Sequence, residues 1–149
     1  MRCSIYGLGG DDIIEIYRTL PAFKSGELRI IKKAGDLDSA GLLLDVPGGD
    51  VSVWVIKGAD IGLYGDFGKA CVVTCGLSQR DSISVSSISD KALTLSVQRE
   101  LPTVDNGTVC QQEFRIRCDK LTDAETAAVA AGGILCMGVN PAELDKIVF

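Results

Sequence analysis

Histidine is absent from the 149 residues, and that absence removes a set of mechanisms. No Ser-His or Cys-His nucleophile pair can form, no imidazole can hold zinc, and no His can serve as general base. Any chemistry must rest on carboxylates, Lys, Tyr or Cys. A basic excess is missing too: 15 Lys and Arg stand against 20 Asp and Glu, for a formal charge of −5. No basic surface is expected that would favour phosphate backbones or anionic lipid, so neither nucleic acid nor membrane is an expected partner. No apolar run approaches the roughly 20 residues of a membrane-spanning helix. The N-terminus also lacks a charged segment followed by an apolar core. The expectation is a soluble, cytoplasmic protein.

What is present is the composition of a cored domain, with 46% apolar and 23% charged residues and no repeat or low-complexity tract. A single α/β domain over residues 1–149 is expected, with an internal seam near residues 57–69. Six cysteines would suffice for a disulfide framework. However, Cys71, Cys75, Cys110, Cys118 and Cys136 all fall in apolar or strand-like text, so they read as reduced core thiols. A Cys-only zinc site needs paired short spacings, whereas Cys71 to Cys75 and Cys110 to Cys118 lie along strands. No metal site is expected.

Strand and helix signals alternate in the first half. Cys3 to Tyr6 reads as a strand, Gly7 to Gly10 break it, and Asp11 or Asp12 can cap a helix. The apolar positions of that helix, Ile13, Ile14, Ile16, Tyr17 and Leu20, end at Pro21. Leu28–Lys32, Leu42–Val46 and Val51–Ile56 read as further strands, with a Pro47-Gly48-Gly49 turn and a turn or short helix over Asp36–Ala40. Gly58 to Lys69 is glycine-rich and reads as a loop or broken helix. After it, Ala70–Cys75, Ser82–Ile88, Ala92–Gln98 and Cys110–Cys118 read as antiparallel hairpins, with turns at Ser89-Asp90-Lys91 and Asp105-Asn106-Gly107.

A helix follows, opened by a Thr122/Glu125 capping box. Its apolar face is Ala127, Ala128, Ala131, Ile134 and Leu135, and Gly138 stops it. The Gly132-Gly133 pair costs about 1 kcal/mol per glycine against alanine, which points to close backbone approach. Asn140, Pro141 and Glu143 then open a second helix.

From Cys71 the chain reads CVVTCGLSQRDSISVSSI, and from Leu121 LTDAETAAVAAGGILCMGVNPAELDKIVF. In its order of buried strand, glycine turn, hairpins, alanine-rich helix and Met137-Gly138-Val139 turn, this half resembles the end of the central domain of Mur ligases. These are the ATP-dependent amide ligases of peptidoglycan synthesis. The resemblance covers residues 71–149 and implies a central-domain-like sheet with helices packed on it. Aligned on that turn, Thr122 and Asp123 stand where the family has a His-Asn pair, and Thr126 stands at its later Asn. The resemblance also implies a phosphate loop after the first strand, with Lys and Thr for phosphate and magnesium. Here Gly7-Leu8-Gly9-Gly10-Asp11-Asp12 takes that place, without Lys or hydroxyl.

The expected ligand-binding residues are therefore Gly7, Gly9, Gly10, Asp11, Asp12, Thr122 and Asp123, with no catalytic residue and no cofactor. The implied function is a non-catalytic binding or regulatory module linked to cell-wall peptidoglycan synthesis, acting on a protein partner or a small ligand. The alternative is a divergent ATP-dependent amide ligase or a subunit of one. Elsewhere, Asp36, Asp38 and Asp45 read as caps and turns, Ser82 to Ser87 as the polar face of a strand, and Arg99, Arg115 and Arg117 as solvated strand charges.

Overall fold

The computed structural model describes residues 2–6, 10–19, 28–30, 41–45, 51–63, 66–119 and 123–149. Its elements are β1 (Arg2–Tyr6), α1 (Gly10–Arg18), β2 (Leu28–Ile30), β3 (Gly41–Asp45) and β4 (Ser52–Lys57), then a 3-10 helix at Gly58–Leu63. There follow β5 (Cys71–Gly76), β6 (Ile83–Ser89), β7 (Ala92–Val97), β8 (Leu101–Pro102), β9 (Thr108–Val109), β10 (Gln112–Arg117) and α2 (Ala124–Cys136), with a second 3-10 helix at Pro141–Lys146. The fold is α/β, as the alternating pattern predicts. The expected turns or helices over residues 36–40 and 47–49 lie outside the described residues, as do the ends of the second and third expected strands and the stop at Pro21.

One eight-stranded sheet runs in the order β10-β7-β6-β5-β4-β3-β1-β2. β1, β2, β4, β5, β6 and β10 point one way, and β3 and β7 point the other. β4 and β5 flank the glycine-rich segment and are paired neighbours, so the sheet runs across it without a break. The text from Ala70 onward predicts antiparallel hairpins, and β6/β7 and β7/β10 are antiparallel. β5/β6 is not. It is parallel and only two residue pairs long, Cys75 with Ile83 and Gly76 with Ser84. β6 thus starts beside the end of β5 and runs on past it, which puts a step in the sheet. Reciprocal bonds hold the step: Thr74 N–H donates to Ser82 Oγ at 3.3 Å and Ser82 N–H to Thr74 Oγ1 at 3.1 Å. Ser82 and Ser84 are accordingly buried rather than on a solvated face. Gln98 Nε2 donates to Ser84 Oγ at 2.7 Å. The turn at Asp105-Asn106-Gly107 closes a separate ribbon of β8 and β9, with Asn106 at φ 63°.

Alternation along the strands sorts the core. Leu42, Leu44, Val53, Val55, Val73 and Cys75 face the helices, while Leu43, Trp54, Ile56 and Val72 form a second cluster with Phe67 on the opposite face. α1 begins at Gly10, so Asp11 and Asp12 stand inside its first turn instead of capping it. Its Ile13, Ile16 and Tyr17 join the same core cluster as α2.

α2 departs from the expected capping box. Asp123 is the N-cap, and the backbone N–H of Glu125 is one of its donors. Nor is one face alone apolar: every residue from Thr126 to Cys136 is buried. Small side chains let this helix pack closely on the sheet and against Tyr17 of α1. A Cβ on Gly132 would come within 2.9 Å of Ile83 Cδ1 and 3.2 Å of Cys75 Sγ, and one on Gly133 within 2.0 Å of Tyr17 Oη. Tyr17 Oη donates to the Ala130 carbonyl at 2.9 Å. The glycine pair is therefore where backbone meets both neighbours.

The helix closes in a Schellman turn. Gly138 sits at φ 90°, with Gly138 N–H bonded to Leu135 O and Val139 N–H to Ile134 O. The Asn140 helix is a 3-10 helix of six residues, in which Glu143 pairs with Lys146 at 2.9 Å instead of reaching back to the cap. Of the cysteines read as core thiols, Cys75 and Cys136 are buried and Cys118 half-buried, but Cys71 and Cys110 are exposed, one at the start of β5 and one beside edge strand β10.

Candidate functional site

The parallel strands place two helix starts on one sheet edge. α1 follows the end of β1, and α2 begins beside the end of β4, where Lys57 meets Asp123. β1 and β4 are separated by β3 alone, so their ends lie about 10 Å apart at ordinary strand spacing. The carboxyl-terminal edge of parallel strands is where open α/β sheets bind ligands.

Of the expected ligand-binding residues, Gly10, Asp11 and Asp12 open α1 on this edge and Asp123 caps α2 on it. Gly7, Gly9 and Thr122 lie outside the described residues. Asp123 is the best defined of the group. Its Oδ2 accepts from Lys57 Nζ at 2.5 Å, Thr126 Oγ1 at 2.5 Å and Thr126 N–H at 3.3 Å, and its Oδ1 accepts from Glu125 N–H at 3.2 Å. Burial pushes the Asp123 pKa upward, but the bonds from Lys57 and Thr126, the Lys57 charge and the Glu125 N–H together hold it below the ordinary carboxylate value. The Lys57 side chain is only 13% exposed.

Lys57 and Asp81 belong to this edge, and the sequence reading singles out neither. Lys57 reads as the end of a strand, and only the fold brings it to a residue 66 positions away. Asp81 lies in the loop at the sheet's step and is 8% exposed. Its Oδ2 accepts from Ser78 N–H at 3.2 Å, within a turn closed by the bond from Asp81 N–H to Ser78 O at 3.0 Å. The carboxylate packs on two glycines: a Cβ on Gly58 would lie 1.8 Å from Asp81 Oδ1, and one on Gly76 2.5 Å from Oδ2. That Gly76 position is also 3.5 Å from Glu125 Oε1, so the Asp81 and Glu125 carboxylates flank one glycine. Gly58, directly after β4, and Gly76, the last residue of β5, were the available signal for Asp81. Beside this edge a cleft of about 480 Å³ opens between Ala124 of α2 and the β6–β7 turn, with Ile88, Leu93 and Cys118 as apolar lining.

No family model, no curated protein and no solved structure matches this chain. Nothing in these comparisons links the chain to the Mur ligases. Among the described residues, no three His, Cys, Asp or Glu side chains gather where they could hold a metal ion, and no helix is long and apolar enough to cross a membrane. What the geometry provides at the α2 start is a carboxylate that already fills the place an incoming anion would take. The Glu125 and Thr126 N–H groups and the nearby Lys57, the usual kinds of donor to phosphate at a helix start, are bonded internally.

Proposed function

We propose that this chain is a non-catalytic binding or regulatory module, built on a Mur-ligase-like sheet and acting with the cytoplasmic enzymes of peptidoglycan synthesis. The observation that supports this reading is the closure of the α2 start by Asp123 and Lys57. An anionic nucleotide arriving there must break charge-assisted bonds and displace a carboxylate before it can use the Glu125 and Thr126 N–H groups or Lys57. The edge retains the Asp81 and Glu125 carboxylates around Gly76. These favour a ligand or partner surface that presents cationic or neutral donor groups rather than phosphate.

Two measurements test the proposal. Calorimetry with Mg-ATP is expected to show no binding, and a micromolar dissociation constant would overturn the non-catalytic reading. Mixing the chain with each purified amide ligase of peptidoglycan synthesis is expected to change the ligation rate of at least one and to co-sediment with it. No effect on any of them would overturn the cell-wall link.

A further inference from the structure

β10 is the last strand of the sheet, and the described chain bonds only one end of its outer side. Arg117 O accepts from Phe149 N–H at 2.8 Å, and Asp119 N–H donates to Phe149 O at 2.8 Å. Arg117 and Asp119 therefore turn their backbone groups outward, while Cys118 turns inward, its N–H bonded to Lys91 O at 2.9 Å. The β10/β7 register is regular from Gln112 to Arg117. Alternation along a regular strand then turns the backbone N–H and C=O of Glu113 and Arg115 outward. Among the described residues these groups have no partner.

The side chains on this edge are self-complementary in one register. Glu113 and Arg115 are exposed, carry opposite charge, share one face, and make no ion pair among the described residues. Phe114 between them is half-buried against the core. In an antiparallel two-fold pairing centred on Phe114, Glu113 of each copy faces Arg115 of the other. These are the outward-turned residues, so each pair exchanges both backbone hydrogen bonds. Phe114 meets its own symmetry mate at the closely spaced position, where cross-strand aromatic pairs are favourable. Other centres fail. Centring on Glu113 or on Arg115 sets like charges opposite each other, and centring on Ile116 sets Arg115 against an Arg117 whose carbonyl is already bonded to Phe149.

We propose that a second copy of this chain pairs along β10, two-fold symmetric about Phe114, and joins the two sheets into one continuous sheet. A charged edge of a single sign would repel such an addition. Alternating signs two residues apart favour it in this register, the one that forms two ion pairs. The inference rests on the β10 edge and is independent of the function proposed for the opposite part of the sheet.

Sedimentation across a concentration series of the full chain tests it. The wild type is expected to pass from one to two chain masses as concentration rises, and a chain that stays monomeric to about 1 mM, the weak end of useful association, would overturn the proposal. Glu113→Arg and Arg115→Glu are each expected to weaken self-association by about tenfold or more, because two ion pairs become like-charge pairs. The double variant E113R/R115E is expected to recover it. Mixing the two single variants gives the sharpest reading: both Arg residues of one then face both Glu residues of the other, so the mixture should associate where neither does alone. Single variants that dimerise like the wild type would overturn the register, and so would a mixture that stays monomeric while circular dichroism shows both proteins folded.

Discussion

Asp123 gathers two tasks in one side chain. It caps α2 through the N–H groups of Glu125 and Thr126, and it balances a Lys57 that is largely withdrawn from water. Asp123→Ala removes the cap and leaves that ammonium without its partner, so a loss of about 1–2 kcal/mol is expected at neutral pH, read from the urea midpoint. The pH dependence has a definite sign. The folded pKa of Asp123 lies below its unfolded value, so its contribution is present above the ordinary carboxylate pKa of about 3.9 and is lost as pH falls through the lower, folded value. The gap in stability between wild type and Asp123→Ala should accordingly narrow in acid. A gap that widens below pH 4 would contradict this electrostatic account. At this scale the sequence was partly legible. Polar capping chemistry is visible around Thr122 to Glu125, but a cap shifted by one residue is not, because Thr and Asp are both good cap residues. The choice of Asp123 follows from Lys57, which no local pattern can place beside it.

α2 shows how an element's composition encodes its depth. The Gly132-Gly133 pair was legible as close approach, and the fold shows two separate approaches, Gly132 toward Ile83 and Cys75 and Gly133 toward Tyr17 and Leu42. Gly133→Ala would drive a methyl into the Tyr17 hydroxyl and strain its bond to Ala130 O. Helix propensity gains about 1 kcal/mol from that change, and overpacking costs about 1–3 kcal/mol. Because the tyrosine ring is itself fully buried and has no room to retreat, the overpacking term wins and the thermal midpoint should fall. A midpoint that rises would mean that α1 moves aside freely. The all-round burial of α2 was less legible, because the face marked by Ala127, Ala128, Ala131, Ile134 and Leu135 is only the part that periodicity picks out. Val129 and Ala130 are covered as well. The parallel β5/β6 pairing was illegible for a similar reason. Six residues between two strands suggest a hairpin, and the side chains of Thr74 and Ser82 decide otherwise.

Across the whole molecule, the thiols report how firmly the layers close. Burial pushes the Cys75 thiol well above its ordinary value and the Cys136 thiol up to about 12, whereas Cys71 and Cys110 are exposed. Alkylation requires the thiolate and access to it. Cys71 and Cys110 should therefore react with iodoacetamide in the native state, and Cys75 and Cys136 only when the protein unfolds, as followed by peptide mass spectrometry. Native Cys136 reacting as fast as Cys110 would show that α2 lifts from the sheet. The apolar text around each cysteine did not separate these cases, since position along the strand decides exposure: Cys71 opens β5, and Cys75 lies near its end under α2.

The step between β5 and β6 gives the molecule a mechanical grain. β4 holds β5 through five residue pairs, while β5 holds β6 through two. A shear applied across the sheet would concentrate on that short ladder, where backbone bonding alone resists it least. α2 lies over β4, β5 and β6 together, so it spans the fault as a splint spans a fracture. The two blocks of strands keep their alignment because one rigid, tightly seated rod is fixed to both, and any event that loosens the rod at its Asp123 end is felt as slippage between them.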